Sequence, residues 1–134
     1  MNSLDEQSAE QYLLSKPETS LYYPFGDDVK VFSVKNKMFA TIAHGANAKS
    51  AKVGDDVKAH FWMNIKCDPE EAEMLRDIFS SIIPAYHMNK RLWNTIILDG
   101  SIPQGEIERM IDNSFNLVVS KMTKKDQASF LVYL

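Results

Sequence analysis

The chain has 134 residues, 45% of them hydrophobic and 25% charged, with 18 acidic against 15 basic side chains and a net charge of −3. That length and mix suit one folded domain with its own core and exclude a chain disordered over most of its length. The acidic balance, with a pI of 5.6, excludes strong unspecific attraction to DNA over the whole surface, so a nucleic-acid contact has to rest on a local basic patch.

Cys67 is the single cysteine, so no internal disulfide can form, which fits a reducing compartment. The polar, acidic start lacks the basic and apolar stretches of a signal peptide. No apolar run approaches the roughly 20 residues of a membrane helix. The expectation is a cytoplasmic, monomeric protein with no membrane partner.

In chain order, Ser3 and Glu6 have the spacing of a capping box, and Leu4, Ala9, Tyr12 and Leu13 form an apolar stripe. These predict a first helix over residues 4–15, stopped by Pro17. Residues 22–28 read as a turn-rich connector. Val29, Val31 and Ser33 alternate with Lys30, Phe32 and Val34, and a second β run covers residues 38–44. Lys35, Asn36 and Lys37 between them form a tight hairpin turn.

Residues 45–58 show no period and read as a loop. Phe61, Met63, Ile65 and Cys67 then alternate with His60, Trp62, Asn64 and Lys66, giving a strand with the first set inward. Asp68, Pro69, Glu70 and Glu71 open a helix whose buried stripe is Ala72, Leu75, Ile78 and Phe79. Residues 86–98 predict a second hairpin, turning near residues 89–92. Asp99 and Gly100 make a turn, and Ser101 with Gln104 forms another capping box. Ile107, Met110, Ile111, Ser114, Leu117 and Val118 carry a helical period, and a short last helix spans residues 124–133. The order is α-β-β-β-α-β-β-α(-α), an α/β (α+β) class with one antiparallel sheet and helices on one face.

The second hairpin concentrates chemistry. His87, Asn89, Lys90 and Arg91 crowd its tip, with Trp93 and Asn94 behind. Lysine and arginine suit phosphates, asparagine suits a base edge or the turn itself, and tryptophan stacks on an unpaired base. The bland alternative is a hairpin with inward aromatics and charges that guard a sheet edge. Lys35 and Lys37 gain meaning only if both hairpin tips leave the sheet in the same direction. Tyr22, Tyr23, Phe25 and Trp62 suit either the end of a core or the wall of a small-molecule pocket. The three histidines have no metal-ligand spacing, and no G-x-S-x-G elbow or phosphate-cradling glycine loop is present. The residues therefore predict no cofactor, no metal and no catalytic residue.

The blocks Asn64-Ile65-Lys66-Cys67-Asp68-Pro69, Tyr86-His87-Met88-Asn89-Lys90-Arg91 and Trp93-Asn94-Thr95 resemble the hallmark segments of the MmcQ/YjbR family. Pro24-Phe25-Gly26, Asp28-Val29 and residues 98–103 extend the resemblance to most of the chain, from Pro24 to Lys125. Leu92 stands where members often carry histidine, and residues 45–60 form a longer segment than usual. The resemblance implies a frataxin-like (CyaY-like) fold and double-stranded DNA binding through two β-hairpin wings, here residues 30–41 and 86–98. It thereby implies Lys35, Lys37, Lys90 and Arg91 as phosphate contacts, with His87, Asn89, Trp93 and Asn94 beside them. The rival reading is a small-molecule- or protein-binding module, with Tyr22, Tyr23, Phe25, Tyr86 and Trp93 around a cleft. Both readings are non-enzymatic, and an enzyme without a recognisable motif is the third alternative.

Overall fold

A computed structural model describes residues 5–85 and 88–133. One six-stranded antiparallel sheet runs in the order β1-β2-β3-β4-β6-β5. The strands are β1 Thr19–Tyr22, β2 Val29–Val34, β3 Lys37–His44, β4 Phe61–Lys66, β5 Ile82–Pro84 and β6 Trp93–Ile97. The helices are α1 Glu6–Ser15, α2 Asp55–Lys58, α3 Pro69–Ile78, α4 Gln104–Ser120 and α5 Lys124–Ala128, with 3₁₀ turns at Gly45–Asn47 and Ser129–Tyr133.

The core lies on one face of the sheet. There Phe32, Ala40, Ile42, Met63, Ile65 and Ile96 meet Ala9 and Leu13 of α1, Ala72 and Leu75 of α3, and the buried stripe of α4. Burial of this apolar set is the main favourable term for the fold. The opposite face is partly covered. Residues 45–58, expected as a plain loop, fold into the first 3₁₀ turn and α2, and their Ala48, Val53 and Val57 pack on Trp62 and Ile97. Trp62, expected outward, is therefore only 5% exposed, and its indole N–H donates to the Val57 carbonyl at 3.0 Å. Gly45 makes this possible. A Cβ there would stand 2.6 Å from the indole nitrogen.

Several local expectations change. β1 Thr19–Tyr22 is a strand beyond those expected, and it shares only Tyr22 with the expected connector of residues 22–28. It is a short edge strand whose four residues alternate only in partial burial, too brief a pattern to register as a period. Ser3 and Leu4 lie outside the described residues, and Asp5 caps α1 by accepting from Ser8 N at 2.8 Å. Asp68 precedes α3 as expected but makes no side-chain cap bond. Ser101 does not cap α4, which begins after Pro103; its hydroxyl joins Asp99 and Ser81 instead. Ile78 is 60% exposed because α3 ends there and the chain turns away, whereas Phe79 packs against the core. Phe115, absent from the expected stripe of α4, takes a buried place in it and meets Phe39 edge to face. The Lys35–Asn36 turn has both residues at positive φ, 48° and 65°, as a two-residue hairpin between twisted strands requires.

Candidate functional site

The register fixes where the two expected tips stand. β2 ends and β3 begins at the Val34–Lys37 pair, β4 ends and β6 begins at the Lys66–Trp93 pair, and β5 ends at the Pro84–Asn94 pair. The Lys35–Asn36 turn and the loop of residues 85–92 thus leave the sheet from the same end. The second connection is not the tight ribbon expected. β5 is only three residues long and stops at Pro84, which has no N–H for a ladder, so eight residues bridge to β6. Tyr86 and His87 lie outside the described residues.

Each candidate cation has a distinct setting. Lys35 faces Glu18 at 3.6 Å and lies over the Phe130 ring at 5.5 Å, so its charge already has partners. Lys37 is exposed at the start of β3 and has no carboxylate partner among the described residues. Lys90 is exposed, and its ammonium donates to the Ala85 carbonyl at 3.1 Å, which closes the loop on itself. The Arg91 guanidinium is exposed and unpaired among the described residues, while its backbone N–H donates to the Asn89 side chain at 2.9 Å. Asn89 therefore shapes the turn. Trp93 is half-buried on β6 opposite Lys66.

Asn94 is 0% exposed. Its carbonyl oxygen accepts from Arg76 Nη1 at 2.9 Å, and its amide nitrogen donates to the Ala72 carbonyl at 3.2 Å. This side chain cannot reach a base edge; it ties β6 to α3. The same Arg76 nitrogen donates to the Lys90 carbonyl at 3.3 Å and so braces the loop.

Two lysines escaped attention in the sequence because they belong to other elements. Lys66 at the end of β4 and Lys121 just after α4 join Lys37 around a surface cavity of about 570 Å³, with Asp126 also on its wall. Burial, and then the positive charge of Lys121, lower the Lys66 ammonium below the ordinary lysine range. Their coming together depends on the tertiary packing of α4, which has no local sequence signal.

A second cavity, of about 430 Å³, opens on the sheet face away from the main core. Thr41, Asn64 and Thr95 stand abreast across β3, β4 and β6. Asn64 Nδ2 donates to Thr41 Oγ1 at 3.1 Å, and Thr95 Oγ1 donates to Asn64 Oδ1. Thr41 and Asn64 line the cavity with Trp62, Phe25, Met38 and Met88. Of the aromatics expected around a cleft, Phe25 and Trp62 are on its wall, while Tyr22, Tyr23 and Trp93 are not; Tyr86 lies outside the described residues.

Comparison with known proteins agrees with this architecture. The YjbR family model matches residues 14–117. The chain is 30% identical over 128 residues to YbdF of Escherichia coli O157:H7, covering 92% of this chain and 95% of that protein. It is equally similar, 30% over 128 residues, to YjbR of Escherichia coli K12, covering 92% and 94%. Among solved structures it resembles a Deinococcus radiodurans protein with a DUF419 domain, at a TM-score of 0.76 and 28% identity, covering 96% of this chain and 88% of that one. No helix among the described residues is long and apolar enough to cross a membrane. A family match over residues 14–117, together with relatives 30% identical over more than nine-tenths of their own length, means that the chain belongs to the YjbR family.

Proposed function

We propose that this protein binds double-stranded DNA, without catalysis, through the sheet end that carries both loops. The observation that supports it is the shared direction of the Lys35–Asn36 turn and the 85–92 loop. Between their middles lie three strand spacings, about 14 Å. That is close to the roughly 12 Å width of the major groove, so each loop can meet one of the two flanking backbones. Lys37, Lys66 and Lys121 on one side and Lys90 and Arg91 on the other supply the phosphate contacts. The rest of the surface is acidic on balance, so attraction is confined to this end.

Fluorescence anisotropy with a short labelled duplex tests the reading. Affinity should fall steeply between about 20 and about 150 mM salt, and Lys90→Ala/Arg91→Ala should lower the slope of log K against log salt by about 2. An absence of saturable binding at the lower salt, or a slope the double variant leaves unchanged, refutes it.

A further inference from the structure

We infer that the cavity on the open face of the sheet is a binding site for an uncharged, planar heterocycle of two or three fused rings that carries an amide-like edge. Its volume, about 430 Å³, falls in the range of small-molecule sites, roughly 300–1,000 Å³. Among the described residues, no lysine, arginine, aspartate or glutamate lines it, and His44, whose Nδ1 accepts from the Ala46 N–H at 3.0 Å, is the one titratable side chain on its wall. A charged ligand would lose its hydration there without a carboxylate, ammonium or guanidinium among these residues to pair with, which selects for a neutral one.

The polar groups on the floor are few and held in place. Asn64 is gripped from both sides, by Thr41 on one neighbouring strand and Thr95 on the other. A primary amide has two N–H groups and an oxygen that can accept twice. One N–H goes to Thr41 and one acceptor position to Thr95, which leaves a donor and an acceptor side by side. Asn64 is half-buried on the cavity wall. A lactam or amide edge presents the complementary acceptor and donor. Because the two threonines already fix the rotamer, little ordering cost remains on binding.

The walls favour a flat apolar body. Trp62 closes one side, and Phe25 stands at the rim 69% exposed. An exposed phenylalanine beside an apolar hollow gains by being covered, and ring-on-ring contact adds to the area term. Met38 and Met88 complete the rim with flexible, polarizable side chains that adapt to ring shape. Phe25, Asn64 and Met88 come from three separate segments of the chain, each singled out in the sequence for its family resemblance. They converge on this cavity, which Met88 reaches from the 85–92 loop; none of the cations of the DNA reading lines it, so the two sites are tested separately.

The test uses the native full-length chain without nucleic acid and the planar bicyclic lactam 2-quinolinone, with 2-naphthoate as an anionic ring of similar size. Amide NMR should show saturable shifts for 2-quinolinone at Thr41, Ala43, the Asn64 side chain and the Trp62 indole N–H, with 2-naphthoate binding at least about tenfold more weakly. Ala43→Phe, which fills the hollow from β3, should abolish those shifts while the dispersion of core resonances is retained. Equal affinity for both probes, shifts centred elsewhere, or unsaturable shifts overturn the assignment. If Ala43→Phe fails to fold, the comparison of the two probes on the native protein decides alone.

Discussion

The Ser114 hydroxyl donates to the Phe39 carbonyl at 2.6 Å and accepts from the Lys66 backbone N–H at 2.9 Å. The cause lies in the sheet. The register shifts between Phe32 and Ser33, so Ser33 faces Met38, Phe32 faces Ala40, and Phe39 has no partner on β2. The bulge sends the Phe39 ring into the core but leaves its carbonyl needing a donor, and a serine in the middle of α4 supplies it. One side chain thereby ties β3, β4 and α4 together.

Ser114→Ala should therefore destabilise the protein by about 1–3 kcal/mol, since it leaves a buried carbonyl and a half-buried N–H unpaired. Ser120→Ala, on the exposed last turn of the same helix, should change stability by less than about 0.5 kcal/mol. Urea unfolding of both variants measures the difference, and equal midpoints would remove Ser114 from its tying role.

Alkaline pH should weaken the fold in two overlapping steps. Burial, and then the charges of Glu71 and Asp68, push the Cys67 thiol from 9.0 up to about 11. Burial, followed by its hydrogen bond to Asp112, pushes the Tyr12 phenol from 10.0 up to about 12. Both groups keep their protons in the folded chain at pH values where the unfolded chain has lost them. Their contribution is complete below about pH 9 and falls as pH rises through about 11 for Cys67 and about 12 for Tyr12. The urea midpoint should decline over this range, and Cys67→Ala should flatten the lower part of the decline. A flat native profile from about pH 9 to about pH 11 would contradict this account.

Gly45→Ala should cost about 1–3 kcal/mol, because the added methyl meets the buried Trp62 ring and the His60 carbonyl rather than open space. The indole N–H resonance should move, since its bond to Val57 depends on the ring staying in place. Gly105→Ala is the control: nothing lies within 4 Å of its Cβ position, and it should leave stability unchanged or slightly raised within α4. Equal effects at both glycines would argue against close packing at Gly45.

The architecture was legible wherever a pattern was long. The proline-led start of α3 and the lysine–asparagine turn have the expected place, and so does the stripe of α4, except that Phe115 and not Leu117 is buried in it. What escaped was set by contacts distant in sequence. Trp62 alternates as though it faced water, yet residues 45–58 fold over it. Asn94 sits among candidate ligand contacts in sequence, yet Arg76 and Ala72 claim its amide. Lys66 and Lys121 belong to different elements and become neighbours only when α4 docks on the sheet. The Thr41–Asn64–Thr95 row needs the register of three strands, which single-residue alternation does not specify.

The outermost strands have a consequence for behaviour at high concentration. β1 offers four residues and β5 three, the last of them Pro84. Margins this brief, one of them closed by an imino acid, give an incoming chain scant template for ladder growth. Fibril formation by strand addition is thus discouraged by the geometry of the borders, and lengthening β5 by replacing Pro84 would be the quickest way to lose that protection.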